Sequence, residues 1–337
     1  MAVYTQIDNP ELYFQVKIWS GNATDDTSIT LDGDENMQPD FIWTKRRNAS
    51  TNHDLWDAVR GALKQIASNN NEAQATISSS VKSFDSDGFT VGTNTNLNAS
   101  GGTYVAWCWK ESATAGFDIL TFEGNGTDDT DISHNLSAVP HWIICRNFDA
   151  AKDWCVYHHK NTSAPETDLL VLNTTAATTD TDDRWSDEAP TSSVFTVGDS
   201  SQLNASSNTS LAYLWSEKQG FSKFGSYIGN GNADSTFVYL GFRPAWVMIK
   251  RTTGSTYNWM IFDNKRNTFN VIDDRLRANT SDAEQTGSST HILDFVSNGF
   301  KIRSSNSAIG GGADPYIFMA FAEAPFVNSK GVPANAR

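Results

Sequence analysis

One pattern limits what this chain can fold into: it contains the same run of strand-like segments three times, so whatever one copy builds the others must be able to build as well. An apolar stretch ending in Gly-Asn opens each copy: Lys17-Ile18-Trp19-Ser20-Gly21-Asn22, Leu120-Thr121-Phe122-Glu123-Gly124-Asn125 and Ser226-Tyr227-Ile228-Gly229-Asn230. Its asparagine returns after 103 and then 105 residues. A proline-led block follows in the same order, Pro39 to Arg46, Pro140 to Arg146 and Pro244 to Arg251, with an aromatic two residues after the proline and a basic residue six after it. Proline cannot donate to a ladder, so it belongs at a strand start with a buried strand behind it. Next come Ser86-Asp87-Gly88-Phe89-Thr90-Val91-Gly92, Ser193-Val194-Phe195-Thr196-Val197-Gly198 and Asn298-Gly299-Phe300-Lys301-Ile302-Arg303, where turn residues precede an alternating strand. An aromatic strand closes each copy, at 104–109, 211–215 and 316–321.

Units of about 100 residues built from short strands between Gly, Asn, Asp and Ser loops have the size and punctuation of a sandwich domain. The expected fold is all-β: three tandem antiparallel β-sandwich repeats of the jelly-roll or concanavalin-like, lectin-like kind. The boundaries fall at 1–112, which carries an N-terminal docking segment, 113–218, and 219–337, which carries a C-terminal tail. Only Asp54 to Ile66 and the stretch around Asp273 to Ala278 read as helical. The joints at 111–115 and 217–220 are too short for floppy tethers, which predicts a stiff stack of units, each with its own core.

Aromatic residues make up 12% of the chain, enough apolar area to offset chain entropy, so the bulk of it should fold. A net charge of −14 repels phosphate backbones and anionic lipid alike, which argues against a nucleic-acid partner. Cys108, Cys145 and Cys155 are an odd number without metal-site spacing, so no disulfide framework is expected. The segment Met1 to Asp8 has no basic or apolar leader region, and no apolar run is long enough for membrane insertion; synthesis and assembly in a cytoplasm are expected.

Catalytic signatures are missing at the level of pattern. No Gly-x-Ser-x-Gly elbow occurs, and His53, His134, His141, His158, His159 and His291 sit at unmatched positions, which reads as loop or rim histidines. A glycosidase needs two carboxylates across a cleft, yet the acids that recur best, Asp57 and Asp263, are replaced by His158 in the middle copy, which fits a scaffold role. The acidic turn Asp32-Gly33-Asp34-Glu35-Asn36 could offer oxygen ligands to calcium through Asp32, Asp34 and Asn36, but Met37 stands where a calcium loop needs glycine. Most Trp residues lie in repeated strand blocks and read as core, which leaves Trp185, Tyr227 and Tyr257 as the aromatic candidates for ligand binding. No cofactor is indicated.

The stretch Ser83 to Gly92, with Asn98-Ala99-Ser100-Gly101 and Tyr104-Val105-Ala106-Trp107-Cys108-Trp109-Lys110, resembles the tandem-repeat virion proteins of marine tailed bacteriophages, the cyanophages and pelagiphages. Gly225 to Asp234, Trp259 to Asn270 and Tyr316 to Pro325 resemble the same group, so the likeness spans nearly the whole chain. It implies a non-enzymatic protein of the virion with lectin-like sandwiches: a tail-fibre or adhesin subunit touching a host-surface glycan or protein. The alternatives are a head-decoration protein that binds only other virion subunits, and a polysaccharide depolymerase on the same scaffold. A homotrimer is expected by analogy with fibres. The first copy departs from the others where Asp32 to Asn36 replaces a Gly-rich turn.

Overall fold

The structure, a computed structural model, describes residues 4–254 and 256–334. Each copy contributes one large antiparallel sheet. In the first the spatial order is Phe14–Ser20, Thr103–Trp109, Phe41–Arg46, His53–Asp57, Lys64–Ala67 and Ala75–Thr76. The second repeats that order with Phe117–Glu123, Thr209–Trp215, Trp142–Asn147, Cys155–His158, Asp168–Val171 and Thr179–Asp180. In the third, Ser222–Ile228, Pro315–Pro325, Phe242–Arg251, Met260–Asp263 and Leu276–Arg277 follow it again. A small antiparallel sheet covers each large one: Thr27–Thr30 with Gly88–Val91 and Val81–Asp85, then Thr130–Ser133 with Val194–Val197, then Phe237–Tyr239 with Gly299–Ile302 and Leu293–Val296. The chain is therefore all-β and antiparallel, and the three sheet pairs fall inside the three segments set by the repeat.

Successive side chains on a strand point to opposite faces, so a sheet covered on both sides carries unbroken apolar runs. This is why Phe41-Ile42-Trp43 and Tyr104 to Trp109 are wholly buried. In the first copy Ile42, Trp56, Ala106 and Cys108 face the small sheet and meet Ile29, Val81, Phe89 and Val91. Phe41, Trp43, Leu55, Trp107 and Trp109 face the other way, into an apolar core shared with the other two copies. There Trp109 meets Trp215 at 6.4 Å, Trp246 at 5.7 Å and Phe321 at 5.6 Å.

The expected stack is thus corrected: the copies are wrapped round a common aromatic core and closed into a ring. Three backbone hydrogen bonds at equivalent places tie each copy to the next. The Gln74 N–H donates to the Phe148 carbonyl at 2.8 Å, Thr178 to Thr252 at 2.9 Å, and Glu284 back to Arg47 at 2.8 Å. Side chains repeat the cycle: the Trp154 indole donates to the Ala67 carbonyl at 2.8 Å, the Trp259 indole to Val171 at 3.0 Å, and the Ser68 hydroxyl to Ala278 at 2.7 Å. A threefold arrangement of sandwiches is completed within one chain.

Other expectations need adjusting. Asp54 to Ile66 is not helical; it runs through the strands His53–Asp57 and Lys64–Ala67, where neighbouring sheet edges supply ladder partners. The stretch around Asp273 to Ala278 holds the short strand Leu276–Arg277. The only α-helix among the described residues is the single turn Thr95–Asn98, capped by the Asn94 side chain. Pro244 lies inside the strand Phe242–Arg251 rather than at its start, and the ladder slips register on either side of it, as the missing N–H requires. Next to the expected docking segment, of which residues 1–3 lie outside the described residues, Gln6 N–H bonds the Gln219 carbonyl at 3.0 Å, and Asp8 accepts the Ser329 N–H at 2.7 Å.

Candidate functional site

Because three joints share one backbone plan, each serves as a control for the others. A glutamate recurs at all of them, as Glu111, Glu217 and Glu323. At the first joint the Glu111 carboxylate accepts the Ile119 N–H at 3.1 Å, and the Glu111 N–H donates to Asp40 at 2.8 Å. At the second, Glu217 accepts the Phe224 N–H at 2.8 Å, and its N–H donates to Nδ1 of His141 at 2.9 Å. Glu323, at the third, pairs with Arg243 at 3.1 Å.

What surrounds the glutamate differs. At the first joint burial, then a hydrogen bond that protonated Glu111 donates to Asp118, pushes the Glu111 carboxyl up to about 7. At the second the place of Asp40 is taken by His141, and Lys223 stands in the register position of Asp118. His141 and His159 meet edge to face at 4.4 Å, and His159 Nε2 lies 2.6 Å from the Phe224 carbonyl. Burial lowers both imidazoles, His141 to about 4 with the nearby His159 adding to it. At neutral pH the 3.8 Å approach of His159 to Glu217 therefore involves an uncharged ring, and burial raises the Glu217 carboxyl as well.

Two adjoining clefts open here, of about 510 Å³ and about 400 Å³, and Glu217, Lys223 and Tyr239 belong to both. Tyr239 is 54% exposed and Phe237 44%. They stand on the solvent face of the edge strand Phe237–Tyr239, with Val238 between them turned into the core. Lys223 Nζ bonds the Tyr239 carbonyl at 2.8 Å and lies 5.5 Å from the Tyr239 ring centre. A groove of mixed polar and apolar lining with two exposed aromatic rings can hold a ligand by stacking and hydrogen bonding.

Of the aromatic residues expected from sequence, Tyr227 lines the second cleft from below, while Trp185 and Tyr257 lie away from both clefts. Trp185 is buried against Tyr157, with ring centres 6.1 Å apart. Tyr227 is buried too; it stacks on Tyr316 at 4.9 Å and donates its hydroxyl to the Ile309 carbonyl at 2.6 Å. Tyr257 is half-buried under the Arg251 guanidinium at 4.2 Å. Trp185 packs inside the second copy, Tyr257 is partly open beside Arg251, and Tyr227 underlies the cleft beside Phe237 and Tyr239. Asp32 is taken by Lys17, the Asp34 N–H is held by Glu11, and Asn36 is exposed beside them. Among the described residues no group of three or more His, Cys, Asp or Glu side chains converges as a metal site.

The histidines are not mostly rim residues. His53 and His158 are fully buried between copies, and burial holds both well below the usual imidazole range. Asp57 and Asp263 are scaffold: each is buried in an ion pair, with Arg60 at 2.6 Å and Arg266 at 2.5 Å. The groove residues Phe237 and Tyr239 were missed, although a signal for them exists. Aligning the copies sets them opposite Ser28 and Thr30 in the first and Asp131 and Ser133 in the second.

Fold and groove together define an all-β protein of three sandwiches with a surface cleft at one inter-copy joint. The chain belongs to the DUF7483 family, described as a domain of unknown function, whose model matches residues 9–325. No curated protein and no solved structure matches it.

Proposed function

We propose that this protein is a bacteriophage virion component, a tail-fibre or adhesin subunit that recognises the host surface by binding and not by catalysis. The observation that carries the reading is the pair of solvent-facing rings, Phe237 and Tyr239, on an edge strand whose counterparts in the other two copies are polar outside. Exposed aromatic groups on a rigid strand cost solubility and return nothing to the core, so a binding role accounts for them. Support also comes from the resemblance to marine phage virion proteins. The best-repeated carboxylates, Asp57 and Asp263, sit in buried ion pairs and do not face each other across a cleft, which favours binding over depolymerase chemistry.

The test is competition. Purified protein added to host cells should slow adsorption of the phage that carries it, and immunogold should mark the tail. Gold on the capsid with no effect on adsorption would replace this reading with the head-decoration one, and release of reducing ends from host polysaccharide would replace it with the depolymerase.

A further inference from the structure

We propose that the groove between the second and third copies is a carbohydrate site for an acidic oligosaccharide, with sugar rings stacked on Tyr239 and Phe237 and the sugar carboxylate drawn to Lys223 and Lys160. The inference deepens the adhesin reading and rests on it only for the source of the sugar.

The argument comes from comparing three copies of one surface. Facing outward at the register positions of Phe237 and Tyr239, the first copy has Ser28 and Thr30 and the second Asp131 and Ser133. Two polar-to-apolar changes on one outer face, both in the third copy, are not needed by a core they do not enter. Gly225 replaces Lys17 and Leu120, and the Phe318 ring, standing where the other copies have Ala106 and Ala212, fills the space a side chain at 225 would take: a Cβ there would come within 2.7 Å of it, so the floor of the cleft is glycine backbone beside an aromatic ring.

The spacing and polarity fit a saccharide better than an apolar chain. Side chains two apart on a strand share a face at roughly 7 Å, so the rings form a ledge long enough for neighbouring sugars. Around that ledge the hydrogen-bonding groups Ser226, Glu217 and His159 are interspersed with Phe224, Tyr227 and Phe318, so the wall is mixed. Aromatic faces take the C–H side of a pyranose while its hydroxyls reach polar neighbours, and Tyr and Trp suit such half-wet surfaces. Charge then selects among sugars. Lys160 and Lys223 line the cleft with one carboxylate, Glu217, whereas the chain as a whole carries −14. An ammonium has three donors, and Lys223 is held in place by one bond to the Tyr239 carbonyl. A local excess of cations on an acidic protein draws an anionic ligand to this spot and not to the rest of the surface.

The other copies supply the variant. Phe237→Ser with Tyr239→Thr gives the third copy the outer face of the first. Calorimetric titration of the intact protein with an oligogalacturonate hexamer should show binding that weakens as salt rises, and maltohexaose should bind at least tenfold more weakly. The double variant should lose at least tenfold in affinity for the acidic hexamer with an unchanged melting temperature. Lys223→Gln should erase the preference for it over maltohexaose. Failure of both sugars to bind, equal binding of the two, or full affinity in the double variant would each overturn the assignment. The adhesin reading stands or falls separately: if wild type and double variant compete equally with phage adsorption, the groove is excluded and the adhesin remains; if the hexamer binds but adsorption is untouched, the groove remains and the adhesin is excluded.

Discussion

Copy three meets copy one through a buried ion pair, while copy two meets copy three through a histidine at the same position. Asp263 bonds Arg266 and also accepts the Trp107 indole N–H of copy one at 3.0 Å; Asp57 does likewise with Arg60 and the Tyr213 hydroxyl of copy two, at 2.8 Å. At the remaining interface all the partners have changed together. His158 stands for the aspartate, Asn161 for the arginine, and Met319, which has no N–H or O–H to donate, for the Trp or Tyr. His158 Nε2 approaches the Phe318 carbonyl at 3.4 Å instead. The lesson is that a buried polar cluster is kept or replaced as a unit, because a single survivor would be left without a partner.

Breaking that unit should give the largest effect. Asp263→Ala removes one of the two carboxylates on the buried Arg266, which keeps Glu284, and leaves the Trp107 indole N–H without its acceptor; it should cost about 3–5 kcal/mol in urea unfolding, whereas His158→Ala, which removes two neutral hydrogen bonds and some volume, should cost about 1–3 kcal/mol. Equal losses at the two sites would refute the contrast. A sharper form is His158→Asp, which should destabilise by several kcal/mol on the order of a buried unpaired charge and be partly rescued by Asn161→Arg.

Acidification should separate the joints next. His141, His158 and His159 are held below the ordinary imidazole value, so the native state binds fewer protons than the unfolded chain and their contribution falls as pH drops through 6.5. Glu111 is held above its usual 4.5, up to about 7, so the native state binds more protons there and its contribution grows between pH 7 and 4.5. Burial raises Glu217 at the same joint and offsets part of the histidine loss there, so hydrogen exchange corrected for pH should show protection between pH 7 and 5 declining at 158–160 and holding or rising at 111–119. Glu111→Gln should flatten the second trend and change stability at pH 7 by less than about 1 kcal/mol. Smallest of all, Phe237→Ser with Tyr239→Thr should move unfolding by no more than about 0.5 kcal/mol, as exposed changes do.

The sheets were legible because a strand writes its period into each copy and the copies agree. Pro39, Pro140 and the Gly88-Phe89 type turns marked strand starts without ambiguity. What single segments could not reveal was how the copies meet. A strand buried on both faces reads the same whether its second neighbour is its own small sheet or another copy, so Trp43 and Trp107 gave no sign of a shared centre. Trp185 looked uncommitted because it lies in a loop, whose burial has no periodicity, and Tyr227 because the strands that bury it, through Phe300 and Tyr316, are distant in sequence. Tyr239 was visible in principle, but only when read against Thr30 and Ser133, since an alternating Phe-Val-Tyr run by itself suits any half-buried strand.

Ring closure also sets an order on synthesis. A nascent chain that has released only its first two copies holds an open wedge, with Trp107, Trp109 and Phe14 waiting for Trp246 and Phe321. Until the last strand leaves the ribosome, those indoles face water or a chaperone, so a truncation after residue 218 should sediment with aggregates while the full chain stays dispersed.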